Sequence, residues 1–399
     1  MDNSNLKIVF ISNVMNHHTK PIADEIYKKI GSSFIFIETT KADKISEYKG
    51  GDESEFQALP YLIKNDGNRK FTNKVKRLCF DADVVLQGAS SDKFINKRLK
   101  SNKLTFRISE HIFKDYNFFK NEVRRWKYLI RNYKFRDKPL FLLAASAYAS
   151  NDFSRCKSFE GKCFKWGYFP EIKKSMPIEK DHERIELLWV GRLLSWKHPE
   201  VIIWTANYLK KNKINANITV IGEGPLLAKL KKIILEKNLS NFVLFVGRVS
   251  SFSVQNYMLT SDVFLFSSDI GEGWGAVLNE SMANKCVVLA SGSAGSTPFL
   301  IDDGVNGFIF DIHTPSSFMS RLDQIMNTSE GSLEQIKESA RNTVIRNWSP
   351  QIAVERLLAI SNHYIKNKDI YFFHEGPMSE AIIFNESEYY KRVEKNMYD

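Results

Sequence analysis

The sequence predicts an α/β protein of two domains, each built on its own parallel sheet. Three observations carry that expectation. At 399 residues the chain is longer than one hydrophobic core usually serves. Short apolar runs such as Asp83–Gln87, Pro139–Ser146 and Asp262–Ser267 alternate with segments of helical composition, the pattern of strands buried on both faces. The alternation gives way to a polar stretch after Glu171 and restarts at Ile185, where a second sheet begins.

In chain order, Leu6–Ser12 reads as the first strand and Pro21–Ile30 as the helix after it. The turn between them, Asn13–Thr19, has no glycine, whereas a dinucleotide-binding turn needs Gly-x-Gly-x-x-Gly. That argues against a nicotinamide oxidoreductase and leaves His17 and His18 as candidate substrate contacts. Ser33–Glu38 is the next strand, Lys41–Glu55 a polar loop, and Val75–Phe80 part of a helix. Strand Asp83–Gln87, helix Ser91–Lys100 and strand Leu104–Ile108 follow. The last ends in Ser109-Glu110-His111, and residues just past a strand's carboxyl end face the ligand crevice of an open parallel sheet.

From Phe119 to Lys138 the pattern is that of a basic amphipathic helix. Phe119, Val123, Trp126, Leu129 with Ile130, and Tyr133 recur on one face, and the segment carries a charge of +6. One reading packs the apolar face on the sheet. The other lays the helix on an anionic membrane surface through Arg124, Arg125, Trp126, Lys127 and Arg131. The wider charge pattern favours an anionic partner for this half. Residues 1–170 hold 32 Lys/Arg against 19 Asp/Glu, and the remainder 25 against 27. No nucleic-acid motif accompanies the charge, so nucleic acid is not expected as the partner.

Pro139–Ser146 is the last strong strand of the first domain. The boundaries expected are 1–172 for the first domain, 173–184 for a linker, 185–348 for the second domain and 349–399 for a helical tail. No apolar run approaches the ~18 residues of a transmembrane helix, and the amino-terminal residues lack a signal-peptide core. Cys79, Cys156, Cys163 and Cys286 show neither zinc-site nor disulfide-framework spacing, so reduced thiols in the cytoplasm are expected and no metal is called for.

The chemistry concentrates in Asp269-Ile270-Gly271-Glu272-Gly273-Trp274-Gly275-Ala276-Val277-Leu278-Asn279-Glu280. An apolar strand precedes it and good helix formers occupy Ala276–Asn284, so the glycines fall in a strand-to-helix turn whose amides suit a phosphate. Glu272 at the mouth and Glu280 some two turns into the helix are up to ~12 Å apart, too far to act on one bond. They suit two hydroxyl clusters on either side of a diphosphate. Arg192 and Lys197, five residues apart in another strand-end turn, suit the diphosphate itself.

Glu272 and Glu280, separated by seven residues, resemble the Glu-x7-Glu motif of the retaining GT-B glycosyltransferases of family four (glycosyltransferase group 1). Val190-Gly191-Arg192-Leu193-Leu194-Ser195-Trp196-Lys197-His198-Pro199 is similar to that family's Gly-Arg-Leu-x3-Lys turn. Ile221-Gly222-Glu223-Gly224-Pro225, Phe245-Val246-Gly247-Arg248-Val249 and Asp303-Gly304-Val305-Asn306-Gly307-Phe308 resemble its later strand ends and closing turn. The resemblance implies a GT-B fold, two Rossmann-like domains facing a cleft with a C-terminal helix crossing back. It implies a nucleotide-sugar co-substrate, UDP- or GDP-linked, and no metal requirement. It places Glu280 at the ribose, Arg248 and Val249 near the base, Glu272 and the amides of Gly273, Trp274 and Gly275 on the sugar-phosphate side, and Gly191 among the donor-binding residues. His111 is the nearest match to a family histidine that contacts the donor sugar. The catalytic candidates are therefore Arg192, Lys197, Glu272 and His111, with His17 and His18 on the acceptor side. Where the family commonly has Pro-Glu after an Ala-Gly pair, this chain has Pro298-Phe299.

The function expected is transfer of a sugar to a lipid-linked or polysaccharide acceptor in bacterial cell-surface glycan synthesis, on the inner face of the cytoplasmic membrane. A nucleotide-sugar epimerase or hydrolase of the same fold, and a non-catalytic anion- or membrane-binding protein, are the alternatives.

Overall fold

The computed structural model describes residues 6–41, 59–68, 70–172 and 184–398. Most of the expected loop Lys41–Glu55 and nearly all of the expected linker lie outside these residues. The chain divides into two compact units, Met1–Glu171 with Asn347–Ile383, and Ile172–Arg346 with Phe384–Asp399.

The first unit holds β1 (Ile8–Ser12), β2 (Phe34–Lys41), β3 (Leu62–Asn65), β4 (Val84–Gln87), β5 (Thr105–Ser109), β6 (Leu140–Ala144) and β7 (Cys163–Lys165). They form one sheet in the order β3-β2-β1-β4-β5-β6-β7, and its ladders are parallel. In register, Phe10 lies between Phe36 and Leu86. Strands β1, β4 and β6 are buried along their whole length, which is why they read as unbroken apolar runs. The strand order reverses between β1 and β4, so a ligand crevice is expected past their carboxyl ends.

The second unit repeats the plan with β8 (Ile185–Val190), β9 (Ala216–Ile221), β10 (Val243–Gly247), β11 (Val263–Phe266), β12 (Val287–Ser291) and β13 (Phe308–Phe310). The order is β10-β9-β8-β11-β12-β13, again parallel, and it reverses between β8 and β11. Trp189, Ile218, Leu265 and Leu289 from the sheet pack with Leu209, Phe318 and Leu322 from its helices into one core. Both units are thus Rossmann-like, and together they show the two-domain fold that the sequence predicts.

Several boundaries differ from expectation for identifiable reasons. Strands β3 and β7 are too short and polar to show as apolar runs; β7 pairs with β6 on one side and with residues 378–381 on the other. The helix expected over Ser91–Lys100 splits into a 3-10 turn, Asp92–Phe94, and a helix, Asn96–Lys100. The basic helix runs Phe118–Tyr133, begun by Asn117, whose side chain accepts the Lys120 N–H at 3.1 Å. It stops where Phe135 turns inward, its N–H bonded to Asn132 O. Its apolar face is not packed on the sheet: Phe119 is 80% exposed, Val123 71% and Ile130 73%. Among the described residues no helix is long and apolar enough to cross a membrane.

The tail expected to return as one piece, 349–399, divides. Helix Pro350–Asn367, capped by Ser349, packs on helix Lys20–Ile30 of the first unit. Helix Glu386–Tyr398 belongs to the second unit. There Tyr389 and Tyr390 occupy the space left by the missing side chain of Gly292, and the Tyr390 hydroxyl meets Ser293 Oγ at 2.8 Å.

Candidate functional site

In the second unit the loops after β8 and β11 meet at the reversal of strand order. Their close approach depends on Gly271 after β11, where a Cβ would fall 3.0 Å from Trp196 Cβ of the loop after β8, and glycines also pack the neighbouring turns. A Cβ on Gly222 would fall 1.9 Å from the Gly191 carbonyl oxygen, at a φ of +130° that side-chain-bearing residues avoid. A Cβ on Gly275, at φ +85°, would fall 2.4 Å from the Phe266 ring. The two loops are then tied by polar contacts. Ser267 Oγ accepts from the Trp189 indole N–H at 3.0 Å and donates to Lys197 O at 2.7 Å. The Asp269 amide donates to Trp196 O at 2.9 Å, and the Asp269 carboxylate accepts from the Gly271 amide at 2.7 Å.

Charge is balanced within this assembly. Lys197 Nζ lies 2.5 Å from Glu272 Oε2, both side chains 14% exposed, and Ser268 Oγ donates to the same oxygen at 3.2 Å. His198 bridges Glu200 through Nδ1 at 2.7 Å and Asp269 through Nε2 at 3.1 Å. Burial alone would lower its pKa, but hydrogen bonds to the two carboxylates outweigh it and raise the value to about 9. The imidazolium is therefore the neutral-pH form. Arg192 is exposed and makes no salt bridge among the described residues. Glu280 sits in the first turn of helix Val277–Ala283, half-buried, and desolvation raises its pKa to about 7. Beside this turn Asn279 Nδ2, Ser296 Oγ and Thr297 Oγ1 are buried without hydrogen-bond partners among the described residues. Gly295 N–H donates to Glu272 O, which sets the Ser296–Thr297 segment against the acid's own turn.

The first unit has its own cavity, about 910 Å³, open at the carboxyl ends of β1, β4, β5 and β6. His18 and His111 line it. His111 is 2% exposed and hydrogen-bonded through Nδ1 to Ser146 Oγ at 2.8 Å. His18 stacks on Tyr168 at 4.7 Å and against His17 at 3.9 Å. Burial, then the neighbouring His17, lowers its pKa to about 3, so it is neutral. Glu110 accepts from the Tyr168 hydroxyl at 2.5 Å and is ion-paired with Lys114. Helix Phe118–Tyr133 contributes Arg124, Tyr128 and Arg131 to the wall.

Residues 171–343 match the family described as Glycosyl transferases group 1. This stretch is a glycosyltransferase group 1 domain. It coincides with the second unit's sheet and both of its loops. An uncharacterized glycosyltransferase of Methanocaldococcus jannaschii is 30% identical over 173 residues, 43% of each chain. The amylovoran biosynthesis glycosyltransferase AmsK of Erwinia amylovora is 29% identical over 187 residues, 45% of each chain. The chain thus spans less than half the length of these curated relatives. The crystal structure of Anabaena HepE in complex with UDP superposes with a TM-score of 0.69 at 13% identity, covering 90% of this chain and 100% of that one, a likeness of fold.

Within the glycosyltransferase domain the structure gathers Gly191, Lys197, Glu272, Gly273 and Gly275 at one strand-order reversal. Glu280 lies closer to the loop than expected, one turn into its helix rather than two. Trp274 offers only backbone: its indole is fully buried and donates to Asn279 Oδ1 at 2.8 Å. Arg248 and Val249 follow the edge strand β10, whose Gly247 carbonyl accepts the Gly222 amide. Lys197 is not the bare cation that the sequence suggested, since Glu272 already holds it. Sequence reasoning missed His198 and Asp269, which tie the loops; His198 stood inside the quoted motif, but its partner is 71 residues away. His17, His18 and His111 lie outside the glycosyltransferase domain, in the first unit. Of the expected membrane cations, Arg124 and Arg131 line the cavity, Arg125 is paired with Glu122 at 2.7 Å and Lys127 is exposed. Among the described residues no group of three or more His, Cys, Asp or Glu is placed to hold a metal ion.

Proposed function

We propose that the protein is a retaining glycosyltransferase. It moves a sugar from a UDP- or GDP-linked donor, held by the second unit, to a lipid-linked or polysaccharide acceptor held by the first. The observation that carries this reading is the stitched loop pair after β8 and β11, lying wholly inside the glycosyltransferase group 1 match. The role of AmsK in amylovoran biosynthesis and the UDP bound by HepE support cell-surface glycan synthesis and a uridine nucleotide.

In this reading Arg192 and Lys197 neutralise the diphosphate, Lys197 exchanging part of its contact with Glu272 for phosphate oxygens. Glu272 then turns to the sugar hydroxyls and Glu280 takes the ribose. As the anomeric C–O bond breaks, negative charge grows on the β-phosphate, where fixed cations act most strongly. The acceptor oxygen bonds the anomeric carbon, and its proton passes to the departing phosphate. No metal is given a role, and none is needed for this proton and charge balance. The protein works on the inner face of the cytoplasmic membrane, with the exposed apolar face of helix Phe118–Tyr133 in the interface.

A thermal-shift panel of UDP, GDP, ADP and CMP tests the donor site. One diphosphate should stabilise the chain, by about 2.7 kcal/mol at 100 times its Kd. Lys197→Ala should remove that stabilisation. No shift with any nucleotide would refute the reading.

A further inference from the structure

The charge lining the first unit's cavity is lopsided, and that imbalance has chemical content. Five cations line it, Lys93, Arg107, Lys114, Arg124 and Arg131, against the single carboxylate Glu110. Arg107 and Arg131 share Asp92, at 2.8 Å and 2.6 Å, and Lys114 is paired with Glu110. With Asp92 included the surplus is three positive charges. Arg124 and Lys93 make no salt bridge among the described residues; the side chain of Arg124 makes a long 3.5 Å contact to Asn121 and interacts electrostatically with Asp115. Ser90 Oγ, on the loop between them and β4, is buried without a partner among the described residues.

Building on the acceptor role given to this unit above, we propose that the cavity recognises its acceptor through a phosphate or diphosphate ester, gripped by Arg124 and Lys93. A single carboxylate would leave most of the surplus charge unmatched, whereas a diphosphate ester takes up two or three charges. Arg presents a planar fork to phosphate oxygens and Lys a point charge, a pairing suited to this group. The volume, about 910 Å³, admits one or two sugar rings besides. Glu110 and the neutral His18 face the same space and suit hydroxyls rather than anions.

The helix that supplies Arg124 also carries the exposed stripe Phe119, Val123, Trp126 and Ile130. Arg124 adjoins Val123 in sequence, so a phosphate gripped there lies beside an apolar surface. That is the arrangement a lipid-carried phosphate needs, its head in the cavity and its chain along the helix. A soluble sugar phosphate would use the same grip without the stripe.

Binding to the full chain, measured by calorimetry without any sugar donor, tests this. The probes are a short-chain prenyl diphosphate, inorganic pyrophosphate and the matching prenyl alcohol. The double variant Arg124→Gln with Lys93→Gln, both at accessible positions, should weaken prenyl diphosphate binding at least tenfold and leave nucleotide binding unchanged. Lys197→Ala should do the reverse. That crossed pattern separates this proposal from the donor assignment: a chain that binds prenyl diphosphate through Arg124 but no nucleotide keeps the former and loses the latter. Prenyl diphosphate binding tighter than pyrophosphate assigns a lipid-carried acceptor, and equal binding a soluble one. Absence of binding by both phosphates, binding unaffected by the double variant, or equal binding of the alcohol overturns the proposal.

Discussion

His198 gives the sharpest test of how the glycosyltransferase domain is held together. Its imidazolium joins Glu200 to Asp269, and through Asp269 it ties the loop after β8 to the loop after β11. The folded pKa is about 9 against 6.5 for the free side chain. A shift of that size corresponds to about 3 kcal/mol of linkage. The side chain is 25% exposed, so solvent screening reduces the expected stabilisation to roughly 2 kcal/mol. The pKa is raised on folding, so this contribution is complete below pH 6.5 and is lost as pH rises through about 9. His198→Gln retains one hydrogen-bonding group and removes the charge. Urea unfolding of both proteins should show a stability difference near 2 kcal/mol at pH 6 that shrinks towards zero by pH 10. A difference that stays constant over that range would show that packing, not the charged bridge, holds the loops. Then Asp269 and Glu200 would have to be satisfied some other way.

Two further outcomes follow from the site and the surface. Glu280, with a pKa raised to about 7 by burial, is largely protonated at pH 6, and ribose hydroxyls donate to the carboxylate form. Nucleotide affinity should therefore rise about tenfold between pH 6 and pH 8 beyond any change in Glu280→Gln, with proton release seen by calorimetry in two buffers; parallel profiles would remove Glu280 from the ribose. On anionic vesicles, Trp126→Ala with Ile130→Ala should abolish co-sedimentation, and Lys127→Gln should lower it by about 1 kcal/mol at low salt. Equal partitioning onto neutral and anionic vesicles would retire the membrane role.

The sheets and the loop positions were legible because a buried parallel strand announces itself locally. Val263–Phe266 has no exposed face and needs no polar residue, and of the glycines after it Gly271 packs on Trp196 of the loop after β8 and Gly275 on Phe266. What did not show is any feature whose cause lies far along the chain. Lys197 looks like a free cation until Glu272, 75 residues later, is seen beside it. Strand β7 is three residues long and is held between β6 and residues 378–381, more than two hundred residues later. The last helix changes units because Gly292 leaves room for a tyrosine ring, a cavity no local pattern records.

Helix Phe118–Tyr133 shows the other limit of reading periodicity. A 3.6-residue apolar repeat says that one face of a helix is apolar, not what covers it. Here Arg124 and Arg131 are turned to the protein, while Phe119, Val123, Trp126 and Ile130 face solvent, the opposite of a helix docked through its apolar stripe. Arg131 is anchored by Asp92 with two hydrogen bonds, at 2.7 Å and 2.6 Å, and Tyr128 packs edge-on against Phe153, so the helix is held from its polar side. An exposed stripe of Phe119, Val123, Trp126 and Ile130 costs solubility unless something covers it. Fixing the helix from its polar side leaves that stripe free for an outside surface while keeping Arg124 at the cavity wall. The same anchoring predicts that Asp92→Asn would loosen the helix and impair the cavity and the membrane contact together, whereas trimming the stripe alone would impair only the second.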